Sequence, residues 1–253
     1  MWVRIFLYKL LGFRLYLRFI SYVFLKAFTL KWYLSAHHQV RMLSNLIKPG
    51  DYCLDIGANL GYFTIPISLL AGTEGKVYAV EPVPLFREVL AANIKKFSAG
   101  NVEIVPYALG ENDGQEITMG TPRVDGVVRH GRTEVLDTEG EPDKMAVSHK
   151  AIMKNPAILF NDLPRLNYVK CDVEGYELHI VPHLLPLLSR YKPVIEMEVG
   201  PTSHKQAVIE YLQPLGYKPF FLQMDRFVAF ELGEIAHRKE IELYFFPEHE
   251  LGP

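Results

Sequence analysis

The sequence predicts an α/β; doubly wound fold, a mostly parallel seven-stranded sheet preceded by an N-terminal helical extension. Three observations carry this. From residue 51 onward, short apolar runs alternate with helical patterns, the signature of parallel strands joined by crossover helices. The first apolar run ends in a glycine bend, where sheets of this kind open a ligand crevice. Finally, 253 residues at 49% hydrophobic and 22% charged composition suffice for one α/β unit with its appendages, without a second core.

The extension, residues 1–40, is basic, aromatic-rich, amphipathic and helical in pattern; residues 41–253 form the predicted catalytic domain. Residues 1–50 hold eight Lys or Arg and no Asp or Glu, and residues 1–34 hold eleven aromatics, both tryptophans included. Arg4, Lys9, Arg14, Arg18, Lys26 and Lys31 interrupt every apolar run, which argues against a transmembrane span or a cleaved signal. Two readings remain. Residues 1–34 lie in a membrane interface with their cations snorkelling outward, or they pack on the domain or in a homodimer interface. The basic positions do not gather on one clean helical face. The expected location is cytoplasmic, peripheral on the inner face of the membrane.

Within the domain, residues 51–56 read as the first strand and 60–71 as the helix after it, with Pro66 expected to shift or kink that helix. Residues 76–81 are the second strand, 85–97 a helix, 102–106 the third strand, and 115–119 an extra one. Residues 120–150 are polar and carry scattered glycines; they read as a long excursion with short strands at most. Residues 167–171 resume the sheet. Pro182 and Pro186 predict that the following helix breaks into two short pieces. Residues 193–199 are the fifth strand and 204–215 a helix. Residues 217–222 and a last strand, either 227–231 or 241–246, close the sheet. Cys53 and Cys171 both fall in apolar strands and read as buried thiols of a reducing compartment. The net charge of −2 gives no reason to expect a nucleic-acid partner.

The strongest motif is Asp55-Ile56-Gly57-Ala58-Asn59-Leu60-Gly61, set between a strand and a helix. Gly57 permits a sharp turn and Gly61 a close backbone approach. The spacing is not that of the dinucleotide fingerprint, and Asp55 stands where a carboxylate would repel a pyrophosphate. It suits the ammonium group of a methionine moiety. Glu81, at the end of the second strand, can accept both hydroxyls of a ribose. A cationic, phosphate-free nucleoside fits the pair.

These residues resemble the class I methyltransferases, Rossmann-like enzymes, and more narrowly the FkbM family. The resemblance spans about residues 50–222. It includes Val80-Glu81-Pro82, Tyr107-Ala108-Leu109-Gly110, Val169-Lys170-Cys171-Asp172-Val173-Glu174-Gly175-Tyr176-Glu177 and Glu196-Met197-Glu198. It implies S-adenosylmethionine (S-adenosyl-L-methionine) as cofactor and, commonly, O-methylation of a hydroxyl on a sugar, glycolipid or related metabolite, a small-molecule or glycan acceptor. It further implies that Asp55, Gly57, Asn59 and Gly61 surround the methionine end, that Glu81 holds the ribose, and that Ala108 lies beside the adenine.

A sugar hydroxyl is a poor nucleophile, so a base helps by about 10²–10⁴. Asp172 is read as the base or hydroxyl orienter, with Glu174 and Lys170 in support; the competing reading has Asp172 and Glu174 capping the next helix and pairing with a lysine. Glu196 and Glu198 could join Asp172 around a divalent metal, though a solvated strand end is the simpler reading and no metal site is assigned. His130 and His149 sit in the excursion as candidate bases or plain surface. Two other functions stay open: an NAD(P)-dependent reductase, and a catalytically inactive binding protein docked on a membrane complex.

Overall fold

A computed structural model of the chain describes residues 2–32, 38–124, 126–136, 145–237 and 239–248. In chain order the elements begin with α1 (Trp2–Thr29), α2 (His38–Met42), β1 (Tyr52–Ile56), α3 (Thr64–Ala71), β2 (Lys76–Val80), α4 (Pro84–Phe97) and β3 (Val102–Val105). Next come β4 (Ala108–Leu109), β5 (Glu116–Val124), β6 (Val127–Val128), β7 (Glu134–Leu136), β8 (Met145–Lys154) and α5 (Pro156–Leu159). The rest are β9 (Tyr168–Cys171), α6 (Glu177–Tyr191), β10 (Val194–Glu198), α7 (Thr202–Leu212), β11 (Tyr217–Gln223), β12 (Arg226–Ala229) and β13 (Glu242–Pro247). Residues 1 and 33–37 of the predicted extension, and 125 and 137–144 of the predicted excursion, lie outside the described residues.

The main sheet has eight strands in the order β12-β11-β13-β10-β9-β1-β2-β3. Neighbours from β10 to β3 pair in parallel, as the alternating pattern predicts. β13 runs antiparallel to β10 and β11, and β12 antiparallel to β11, so the sheet is mixed and one strand wider than expected. Both candidates for the last strand form. The β11–β12 hairpin turns at Met224 and Asp225, both at positive φ (46° and 62°), the geometry that matches strand twist.

The parallel strands are buried on both faces, which is why they read as continuous apolar runs. Leu54, Ile56, Val169, Ile195 and Met197 join one core cluster with Ile180, Val181 and Leu184 of α6. Cys53, Val77, Tyr168 and Val194 join another with Ile67 and Ala71 of α3 and Leu43.

Three expectations are corrected. The helix after β1 starts at Thr64 rather than 60, and Pro66 then falls in its first turn, where no intrahelical amide bond is required. α6 is one helix, not two pieces. Its prolines are four residues apart and, unlike Val181, Leu184 and Leu187, are not buried; water can meet the carbonyls that lose their amides there. The 120–150 excursion holds more than short strands: β5 and the ten-residue β8 pair antiparallel in a second, five-stranded sheet, order β4-β8-β5-β6 with β7 on β5.

α1 runs as two helical stretches joined at Gly12, whose φ of 69° and ψ of 166° leave helical geometry. Its inner side packs on the domain. Tyr16 and Leu17, 1% and 0% exposed, join a cluster with Leu60, Val83, Phe86 and Val89. Asn93 of α4 donates to Ser21 at 3.0 Å and to the Leu60 carbonyl at 2.8 Å, and Arg14 and Arg18 both pair with Glu88. The outer side leaves Leu15, Phe19 and Val23 exposed, while Tyr22 rests against Phe97 and Lys96 of α4. Among the described residues no helix is long and apolar enough to cross a membrane.

Candidate active site

The end of β1 turns sharply at Gly57 (φ 87°), and the amides of Gly57 and Ala58 both donate to the Val80 carbonyl, at 3.1 and 3.0 Å. A Cβ on Gly57 would lie 1.9 Å from the Asp172 carbonyl oxygen, so only glycine lets the exits of β1 and β9 pass each other. Asn59 follows in the left-handed region (φ 50°). Its amide donates to Glu81 Oε2 at 2.8 Å, while the Val83 amide donates to Oε1 at 2.8 Å. Glu81 therefore clasps the glycine loop against the end of β2. Burial pushes its carboxyl up to about 7, although the Val83 and Asn59 amides draw it down.

Asp55 is 1% exposed and accepts a 2.6 Å bond from the Thr64 hydroxyl, at the start of α3. Burial raises it to about 6, against the pull of Thr64 and Lys170. Strand register places Asp55 beside Lys170, Lys170 beside Glu196, and Glu196 beside Tyr244, forming a polar row across the sheet. Lys170 is 2% exposed; its ammonium lies 3.2 Å from Asp172 Oδ2 and 4.2 Å from the centre of the Phe63 ring. Burial works against its charge, but Asp172, Glu196 and Asp55 together raise its pKa above the ordinary lysine value. Glu196 accepts from the Tyr168 hydroxyl at 2.6 Å and is enclosed, whereas Glu198 is half-buried.

A cavity of about 200 Å³ opens at the carboxyl ends of these strands. It brings together Asp55, Gly57, Asn59, Glu81, Ala108, Lys170, Asp172 and Glu174. Gly61 is not on its wall; a Cβ there would meet Leu90 at 2.9 Å, so its close approach is to α4 rather than to a ligand. Asp172 pairs with Lys170, and α6 takes no side-chain cap at Tyr176. It is Glu177 that accepts the amides of Val173 and Gly175, at 3.3 and 3.2 Å. Glu174, at positive φ (53°), stands at the rim with its carboxyl raised to about 7 by burial and by Asp172 and Glu198.

His130 lines the cavity, packed near Tyr62 and Phe86, and its carbonyl accepts from Asn59 Nδ2 at 3.0 Å. His149 packs against Phe86 and is not on the cavity wall. Cys53 and Cys171 are free and buried. Among the described residues no group of three or more His, Cys, Asp or Glu could hold a metal. Sequence reasoning missed the apolar wall, which includes Tyr62, Phe63, Phe86 and Met119; these come from separate elements and share no local motif. Thr64 was legible in principle, as a hydroxyl nine residues after the loop's acid at a helix start.

The donor set fits a cationic nucleoside. Two buried carboxylates and the unpartnered, buried Oδ1 of Asn59 line or adjoin the glycine loop, beside an apolar wall that can take a flat base.

The Methyltransferase FkbM domain profile matches residues 55–229. The chain belongs to the FkbM methyltransferase family. It carries that family's methyltransferase domain, whose cofactor is S-adenosylmethionine. The match retires the reductase reading. A probable cobalt-precorrin-6B C(15)-methyltransferase (decarboxylating) of Sulfolobus acidocaldarius is 36% identical over 102 residues, 35% of this chain and 53% of the relative. The hexuronic acid methyltransferase AglP of Haloferax volcanii is 26% identical over 162 residues, 64% of this chain and 62% of the relative. The chain thus spans between about half and two thirds of the length of these two curated relatives. Among solved structures, a putative rRNA methylase from Clostridium thermocellum superposes with a TM-score of 0.50 at 9% identity, covering 84% of this chain and 94% of that one. That likeness concerns the fold alone.

Proposed function

We propose that this FkbM-family enzyme O-methylates a hydroxyl of a sugar, glycolipid or related metabolite. The observation that carries the reading is one cavity shared by the glycine loop, Asp55 and Glu81 on the donor side and by Lys170, Asp172 and Glu174 from the end of β9. The AglP relative, named a hexuronic acid methyltransferase, supports a sugar acceptor.

Asp55 would hold the ammonium of the methionine end, Gly57 and Asn59 would frame it, and Gly61 would keep the loop seated on Leu90. Glu81 would accept the ribose hydroxyls and Ala108 would lie beside the base. S-adenosylmethionine, when bound, supplies an electrophilic methyl group for in-line displacement by the acceptor oxygen. The acceleration then asked of the chain is positioning plus removal of one proton. Lys170 holds Asp172 in place as the group that orients the hydroxyl. Glu174, on the wall of the same cavity with its carboxyl raised to about 7, would accept the proton.

Titration calorimetry with S-adenosylmethionine, followed by methyl-transfer assays on a panel of neutral and anionic sugars, tests the reading. Binding with measurable turnover on a sugar is expected. Binding without turnover on any hydroxyl acceptor would instead favour the inactive binding protein.

We also propose peripheral contact with an anionic membrane through the outer side of α1. Its exposed Leu15, Phe19 and Val23, with Leu30 just beyond its end, share this segment with Lys9, Lys26 and Lys31, and residues 2–32 contain no acid.

A further inference from the structure

We propose that Asn93 is a positioning residue of the cofactor site, and that through it the N-terminal helix α1 sets the glycine loop on which S-adenosylmethionine affinity depends. The inference rests on the placement of the cofactor proposed above, against Asp55, Gly57 and Asn59, and is independent of the acceptor. Asn93 lies on α4, 6% exposed, and is not on the cavity wall. Its side-chain amide nitrogen donates to the Leu60 carbonyl at 2.8 Å and to the Ser21 hydroxyl oxygen at 3.0 Å. A carboxamide nitrogen carries two hydrogens in one plane, so one goes to each acceptor and the two are held at a fixed angle. Ser21 is itself fully buried and donates to the Arg18 carbonyl at 3.2 Å, which leaves its oxygen turned to Asn93. A relay of bonds thus runs from α1 to the backbone of the loop.

The carbonyl so held lies at the tightest part of that loop. Leu60 stands between Asn59 (φ 50°) and Gly61 (φ 90°), both in the left-handed region. For Asn59 such a conformation persists only where surrounding contacts over-determine it. Glu81 supplies one of those contacts by accepting the Asn59 amide, and Asn93 supplies another by donating to the next carbonyl along the chain. A loop already held in its binding shape loses less freedom when the ligand arrives, and affinity gains accordingly.

α1 also backs the cavity wall at other points. Tyr16 and Leu17 share a core cluster with Leu60, Val83 and Phe86. The Phe24 ring meets Tyr62 edge-on, with centroids 4.7 Å apart. Val83, Phe86 and Tyr62 all line the cavity. A leucine at position 93 would fill similar space with no polar group to satisfy, so a buried carboxamide joining two elements serves position rather than packing.

The test is calorimetric titration of the full chain with S-adenosylmethionine, paired with urea unfolding of the same samples. S21A removes only the α1 end of the relay and should weaken binding about threefold, whereas N93L removes both bonds and should weaken it about tenfold. The double variant should bind like N93L alone, since Ser21 acts through Asn93. V208A, at a fully buried position of α7 away from the cavity, should lower the urea midpoint and keep the parent's affinity. The inference is overturned if S21A binds like the parent, if the two losses add in the double variant, or if V208A loses affinity as the relay variants do. Should N93L fail to fold, the comparison of S21A with V208A decides alone. A parent chain that does not bind S-adenosylmethionine would sink the cofactor placement instead, whereas equal binding by the parent and S21A would sink this inference alone.

Discussion

Gly57 and Asp172 meet at backbone distance, and their neighbours Asp55 and Glu174 share one cavity, so single substitutions there separate binding from turnover. Asp55→Ala should abolish S-adenosylmethionine binding in a titration, because it removes the buried carboxylate at the end of β1 that is proposed to hold the ammonium. Asp172→Ala should leave binding intact and lower turnover; full turnover would refute its role. Glu174→Gln should lower turnover by about 10²–10⁴. In the parent, turnover should rise with pH through about 7, since Glu174 must be ionised to accept a proton, and that limb should vanish in Glu174→Gln. A second pH effect concerns stability. Asp55 at about 6 and Glu81 at about 7 lie above their unfolded values, so the folded chain holds protons that the unfolded chain has lost. Their contribution, on the order of 3 kcal/mol each from shifts of about two units, is present below about pH 4 and is lost as pH rises through 6 to 7. The urea midpoint should therefore fall across that window, and less steeply in Glu81→Gln; equal slopes would contradict the assignment.

Among the elements, α1 shows how differently two neighbouring leucines can weigh. Leu17 is fully buried against the domain, whereas Leu15 is 54% exposed on the outer side. Leu17→Ala should cost about 2–5 kcal/mol in denaturant unfolding and Leu15→Ala within about 0.5 kcal/mol. A comparable loss in both would mean that α1 does not pack as described. The same contrast explains what was legible. The parallel strands announced themselves because two buried faces leave continuous apolar runs. β8 did not, because one side of Met145–Lys154 is exposed and its residues alternate with polar ones. α6 was misread because a proline rule written for helix interiors assumes that the freed carbonyls have no other partner, whereas Pro182 and Pro186 are not buried.

Over the whole molecule, the donor half of the candidate site could be read from the sequence because Asp55, Gly57, Asn59 and Glu81 sit on two consecutive strand ends. The apolar wall could not, since Tyr62, Phe63, Phe86 and Met119 are brought together only by folding. The outer side of α1 yields a test at this scale. The full chain should sediment with vesicles containing anionic lipid and much less with zwitterionic ones, and Phe19→Glu with Val23→Glu should release it. Equal behaviour of parent and variant, or a dimer that masks these residues by light scattering, would count against membrane contact.

β13 lies between β10 and β11, so the β11–β12 hairpin reaches the rest of the sheet only through a strand synthesised after it. While the ribosome has yet to release residues 242–247, β10 carries a bare apolar edge, open to pairing with another nascent chain. A version stopped at residue 240 should for that reason accumulate as aggregate rather than as a slightly weakened enzyme, which fractionating an expressing culture would reveal.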